Sequence, residues 1–341
     1  MTLQTIWFLL WGVLWAIYFI LDGFDLGIGT LLPWIGKTQT DRRIMMNAMG
    51  PFWDGNEVWL ITAGGVTFAA FPGTYATLFS AMYSALMLVL LCLIFRGVAM
   101  EFRSKGESDA WRRFWDRALF VSSSAGSILF GVAFFNVFRG IPIDADGVMQ
   151  GSLFTLLNPY GLLGGILFLS LFAMHGALYL AIRTTGDLYE RAIRTAQRLW
   201  VSSLVLVVAA VGASAGMTGL PANYRAHPVL LVIPALCVGS LIVCRRWMGH
   251  RPWGAWAASG VNLAGLTFFG LAGIYPAMLP STLDASFSRT ISNAASTPLT
   301  LKIMLGVVIV VIPTVIAYQA FAYRLMSHRL TEADLDNEHA Y

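Results

Sequence analysis

The chain has 341 residues, 57% of them hydrophobic and only 12% charged, with a formal net charge of +4 and a mean hydropathy of +0.69. Soluble domains carry about 25% charged residues, and a soluble molecule of this size must cover its outside with polar groups. The composition excludes an ordinary soluble enzyme, a disordered chain and a disulfide scaffold; the small net charge is no signature of nucleic-acid binding, and a polytopic membrane protein remains.

Nine segments are long enough to cross about 30 Å of hydrocarbon at ~20 residues each. They run approximately over 6–31, 51–71, 75–99, 117–138, 159–182, 199–219, 228–247, 254–278 and 302–325. The first has no basic leader and no A-x-A site, and it continues into Asp22-Gly23-Phe24-Asp25, so it reads as a mature helix rather than a signal peptide. The stretches 139–158 and 279–301 are too short for a soluble domain. The chain therefore reads as one all-α transmembrane domain over 1–341. Residues 328–341 form a short solvated tail carrying Glu332, Asp334, Asp336 and Glu338, with a helix cap at Thr331.

The placement of the 22 Lys and Arg residues sets an orientation. Eighteen follow the odd-numbered spans: Lys37, Arg42 and Arg43; the run from Arg96 through Arg117; Arg183 to Arg198; Arg245, Arg246 and Arg251; and Arg324 and Arg329. Only Arg139, Arg225, Arg289 and Lys302 lie on the other side. The positive-inside rule then puts the N-terminus in the periplasm and the C-terminus in the cytoplasm. Trp111, Trp115, Trp200, Trp247, Trp253 and Trp256 gather near span ends on the basic side, as an interfacial belt does.

The informative residues are carboxylates inside or beside the spans. Asp22 and Asp25 lie late in span 1, Asp54 and Glu57 at the start of span 2, and Arg96 and Glu101 at the end of span 3. Each carboxylate near the middle of a bilayer costs about 2.5–3.5 kcal/mol on insertion scales. The orientation puts all three pairs in the cytoplasmic half. The i, i+3 spacing of the acids on spans 1 and 2 sets each pair on one helical face. Two readings follow. In the structural one, Arg96 neutralises one or two acids and the rest sit at the interface. In the functional one, opposing effects of burial and of Arg96 hold one acid at a transferable proton affinity, and the cluster is a proton-uptake path.

The remaining candidates read as structural. Cys92, Cys237 and Cys244 lie in apolar runs without a CxxC pair, and no metal site is expected. Gly23, Gly27, Gly29, Gly64 and Gly65 suit close helix packing, and no strand-turn-helix context suggests nucleotide binding. Of five His, only His175 is clearly within a span, where a bis-His haem needs two; the 14 Met leave a His/Met site as the alternative to its reading as a hydrogen-bonding residue between helices.

The runs LDGFDLGIG, DRRIMMNAMGPFWDGNEVWLITAGG and FRGVAMEFRSK, followed by LLNPYGLLGG and HGALYLAIRT, strongly resemble subunit II of the cytochrome bd quinol oxidases, across essentially the whole chain. The resemblance implies two four-helix bundles plus one peripheral helix, in a bacterial cytoplasmic (inner) membrane. The implied partners are a similarly folded subunit I and often a very small single-helix subunit. The implied activity is that of the complex, oxidation of membrane quinol and reduction of O2 to water with protons drawn from the cytoplasm. Two b-type haems and haem d belong to subunit I, so this chain is expected to bind no cofactor, with room left for a bound quinone or lipid. By the same resemblance Asp54 of the WDGN motif matches a proton-path residue, Asp25 and Arg96 match polar positions near it, and Trp59 matches an aromatic beside an apolar O2 route. Glu57 and Glu101 are candidates from position alone, as is Asp22. The rival functions are a proton- or cation-coupled transporter and a scaffold that only buries the flank of subunit I.

Overall fold

A computed structural model describes residues 2–336. The acidic position Glu338 falls outside the described residues. Twelve α-helices dominate: α1 Leu3–Ile35, α2 Gln39–Met49, α3 Trp53–Ala70, α4 Pro72–Ala81, α5 Tyr83–Arg103, α6 Asp109–Arg139, α7 Pro159–Arg183, α8 Gly186–Met217, α9 Pro221–Ala226, α10 Val232–Trp247, α11 Pro252–Ile274 and α12 Pro298–Leu325. Eight stretches among the described residues are long and apolar enough to cross a membrane, so the chain is a polytopic, overwhelmingly helical membrane protein. The 18-residue α3 is not one of them; it carries Asp54 and Glu57 in its opening turns.

Several elements depart from the sequence expectation. The span expected over 75–99 is broken at Met82 (φ −103°, ψ 17°), which separates α4 from α5. The basic stretch after span 1 is not a plain loop: α2 forms there, closed by a capping box between Thr38 and Asp41. Helices α6 and α8 begin well before their apolar stretches, because a helix continues through polar residues once it leaves the hydrocarbon. The fold is also not purely helical: β1 Ala277–Leu279 and β2 Arg289–Thr290 pair antiparallel in the stretch before α12.

Helix α7 forms the centre and is buried along almost its whole length. Helix α1 crosses it at very short range. A Cβ on Gly27 would lie 1.9 Å from the Phe172 carbonyl oxygen, and one on Gly176 would lie 2.6 Å from the Ile28 nitrogen. Only glycine permits such an approach. Gly64 and Gly65 do not share this role: a Cβ on Gly65 meets nothing within 4 Å, and one on Gly64 only the Phe79 ring at 4.0 Å. They sit on the part of α3 turned away from α1. At the other extreme, α12 buries only Leu301. Its inner side is only partly covered, by contacts such as those of Leu305, Val308 and Tyr323, and an apolar helix this bare on its outer side is stable only in lipid or against another chain.

The tail is less solvated than its charges suggest. Thr331 donates to Asp334 Oδ2 through both backbone and side chain (2.7 and 2.8 Å) and so caps a short 3-10 turn. Leu330 and Leu335 are buried, because the Leu330 N–H reaches the Arg183 carbonyl (2.7 Å) and Arg43 Nη2 donates to the Leu335 carbonyl (2.8 Å). Two of the six belt tryptophans also turn inward: Trp115 is buried, and Trp256 stacks on His175 with 5.0 Å between ring centroids.

A buried ionic cluster on three helices

Helices α1, α3 and α5 meet where their polar residues fall. Arg96 of α5 places Nη1 2.7 Å from Asp22 Oδ1 of α1, and its Nη2 donates to Glu57 Oε1 of α3. Arg96, Asp22 and Asp25 are entirely buried, and Glu57 keeps 24% of its side chain exposed. Asp25, one turn beyond Asp22, accepts from Asn56 Nδ2 at 2.7 Å. Tyr323 of α12 donates to Asn56 Oδ1 at 3.0 Å, so Asn56 links α1, α3 and α12.

The cluster holds more hydrogen-bonding capacity than its own contacts use. Both Asp22 oxygens, Asp25 Oδ1, Arg96 Nε and Nη1 and the Tyr18 hydroxyl make no aligned hydrogen bond. The Arg96–Asp22 contact is thus a close ion pair whose N–H misses the acceptor direction. Buried polar atoms are nearly always satisfied by protein or by internal water. Four such atoms around the Arg96 guanidinium, with two of its own, give the cluster hydrogen-bonding capacity beyond its ion pairs.

Of the predicted residues, Asp22, Asp25, Glu57 and Arg96 come together. Asp54 does not join them: it is exposed at the start of α3, with Oδ1 accepting its neighbour Gly55 N–H (2.7 Å). Glu101 is likewise exposed, five residues past Arg96 on α5. The shared face assigned to Asp54 and Glu57 holds only loosely, because i+3 leaves a rotation large enough to turn one carboxylate outward. Trp59 is buried, and its indole N–H donates to Gln319 Oε1 of α12 at 2.8 Å.

Sequence reasoning missed Tyr18, Asn56, Gln319 and Tyr323. Tyr18 precedes Asp22 by one helical turn, and the 18, 22, 25 spacing was there to be read. Gln319 and Tyr323 are spaced i, i+4 in a span otherwise poor in polar side chains, which is the same kind of signal. Arg183 was counted only as a basic loop residue; it is buried at the end of α7, with Nε and Nη1 unpartnered.

A second network, just beyond the spans, holds α2 beneath the cluster. Arg191 of α8 grips Asp41 of α2 with two hydrogen bonds (3.0 and 2.9 Å). Burial acts to raise the Asp41 carboxyl, but the Thr38 N–H and Arg191 outweigh it and hold it below the usual carboxylate range. Asp116 of α6 accepts from Arg42 of α2 (2.7 Å) and from Arg103 of α5 (2.6 Å).

His175 uses both ring nitrogens inside the protein. Nε2 lies 3.0 Å from the Ile20 carbonyl and therefore carries the proton, which leaves Nδ1 to accept from the Ser259 hydroxyl at 2.9 Å. His227, His250 and His328 are exposed outside the spans, and no group of three metal-ligating side chains occurs among the described residues. Both His175 ring nitrogens are therefore committed within the protein, which leaves this ring no free nitrogen for an axial bond to iron.

The sequence matches the family described as cytochrome bd terminal oxidase subunit II over residues 3–326. It is 37% identical over 372 aligned residues to the cytochrome bd-I ubiquinol oxidase subunit 2 of Escherichia coli strain K12, covering 99% of this chain and 98% of that protein. It is 34% identical to the cytochrome bd ubiquinol oxidase subunit 2 of Bacillus subtilis, covering 98% of each. In fold it is similar to a chain of the bd oxidase structure from Geobacillus thermodenitrificans, with a TM-score of 0.76 at 17% identity over 95% of this chain and 98% of that one. The near end-to-end match in sequence, on a helical frame of the same shape, places this chain in the cytochrome bd terminal oxidase subunit II family.

Proposed function

We propose that this chain is the haem-free second subunit of a quinol-oxidising, O2-reducing membrane complex, and that it serves a haem-bearing subunit I in two ways. It buries that subunit's apolar flank, and it supplies protons from the cytoplasmic side. The relatives' names support the assembly, and the bare apolar surfaces of α3, α5 and α12 offer it an interface. In this reading α3 is the ninth crossing, with the N-terminus periplasmic and the C-terminus cytoplasmic, as the distribution of basic residues requires. The haems belong to subunit I.

The observation that carries the proton role is the Arg96 guanidinium held between Asp22 and Glu57, with Asp25 and Asn56 alongside and spare donors and acceptors on every side. Proton transfer needs such groups within hydrogen-bond reach, directly or through water. Arg96 keeps a carboxylate in this interior from becoming prohibitively costly. Glu57, the one carboxylate of the cluster that keeps some exposure, follows the exposed Asp54 by three residues on α3. Asp54 is then where a proton leaves this chain toward subunit I. Glu101 lies at the cytoplasmic end of α5, and Trp59 lines the apolar O2 route beside α12.

The test is oxygen consumption and proton uptake by the assembled complex carrying Asp54→Asn or Asp25→Asn. Loss of a proton-transfer group lowers turnover by about 100-fold or more, with assembly intact because Asn keeps the shape. Wild-type turnover with normal uptake rejects the carrier role for that residue. Poor assembly with normal turnover per complex would leave a scaffold as the whole function.

A further inference from the structure

A groove of about 210 Å³ opens between the end of α1 and the start of α6, bordered by Leu32, Pro33, Arg42, Arg113, Arg117 and Phe120. Its chemistry is split. Leu32, Pro33 and Phe120 make an apolar floor, and the side chains of Arg42, Arg113 and Arg117 complete the lining. The one acid present, Asp116, is already shared by Arg42 and Arg103. Arg113 and Arg117 have no acidic partner among the described residues. They are spaced i, i+4 and Phe120 follows at i+7, so all three lie on one face of α6.

The location narrows the ligand further. Trp34, next to Pro33, is 71% exposed, and Phe114 and Val121 are exposed on α6 beside the arginines. Exposed aromatic and aliphatic side chains flanking Arg at the end of an apolar helix mark the boundary between hydrocarbon and headgroups. The volume falls below the ~300–1,000 Å³ of a cavity for an organic ligand. It suits a phosphodiester whose acyl chains run up the outside of the helices.

We propose that this groove binds the headgroup of an anionic phospholipid from the leaflet at the basic ends of α1 and α6. Arg113 and Arg117 hold the phosphate, and Phe120 and Pro33 meet the first acyl carbons. Arg42 is the link to the rest of the molecule, because it also joins Asp116 and the Gly36 carbonyl (3.0 Å). A bound lipid thus braces α2 against α1 and α6. The inference needs only that the chain lies in a membrane, so it stands or falls apart from the proton path.

The complex, stripped of lipid in mild detergent, is titrated with phosphatidylglycerol, phosphatidylcholine or inorganic phosphate while its thermal midpoint is followed. Phosphatidylglycerol is expected to raise the midpoint saturably, and the other two are not. Each basic residue near an anionic surface contributes about fivefold in affinity, so Arg113→Gln with Arg117→Gln weakens the response by roughly 30-fold. A charge-matched pair outside the groove, Lys105→Gln with Arg112→Gln, leaves it unchanged. Equal loss in both pairs means diffuse attraction and overturns the site. A rise with inorganic phosphate alone means a free-anion site and overturns the lipid.

Discussion

Arg96 and Asp22 lie 2.7 Å apart on two different helices, both entirely withdrawn from the surface. Their pairing joins α5 to α1 at a depth where neither charge could remain alone.

Removing one partner of such a pair leaves an uncompensated buried charge, at a cost of about 3–5 kcal/mol. Arg96→Gln is therefore expected to lower the yield and thermal midpoint of the complex sharply. Arg96→Gln combined with Asp22→Asn removes both charges and recovers part of the loss. Thermal melts of the two variants check this, and a single variant as stable as wild type would refute it.

Asp41 makes stability depend on acid. Its carboxyl is held below the ordinary range against the opposing effect of burial. The Asp41–Arg191 contact therefore stabilises the fold above the unfolded value near pH 3.9 and is lost as pH falls through the lowered folded value. Wild type should melt above Asp41→Asn near neutrality, with the gap closing below about pH 4. A gap independent of pH would contradict the assignment.

The α1–α7 crossing tolerates no added atom at Gly27, where a Cβ would lie 1.9 Å from the Phe172 oxygen. Gly27→Ala must push two central helices apart, at about 1–3 kcal/mol or more. Gly65→Ala, open to 4 Å, should leave the stability of this chain unchanged. Comparing the yield and melting of the two variants measures the difference.

His175→Ala strips partners from the Ile20 carbonyl and the Ser259 hydroxyl and removes the ring stacked on Trp256. The orphaned groups cost about 1–3 kcal/mol, so the complex should melt lower. The haem absorbance per complex should stay constant. A selective loss of one haem band with both subunits present would mean that His175 acts on a cofactor.

Family, helical class and the list of acids to examine were all legible in the sequence. Hydropathy depends on composition over about 20 residues, and the positive-inside pattern depends on where basic residues stand along the chain. The pairing within the cluster was not legible. Asp54 and Glu57 sit three apart in one motif, yet only Glu57 reaches Arg96, because the rotation of α3 about its axis decides which carboxylate turns inward. The same holds for Asn56 and Trp59 of α3 and their partners Tyr323 and Gln319 of α12, which lie far apart in the chain and meet only where α12 rests on α3.

What the linear order of residues determined by itself was which segments prefer lipid and which charges such segments must shelter, since transfer free energy is a local property of side chains. Which shelter each charge found was decided only by tertiary packing. Helix rotation, the close approach at Gly27 and Gly176 and the docking of α2 under Arg191 are set by contacts between distant segments, and a one-dimensional pattern does not contain those contacts.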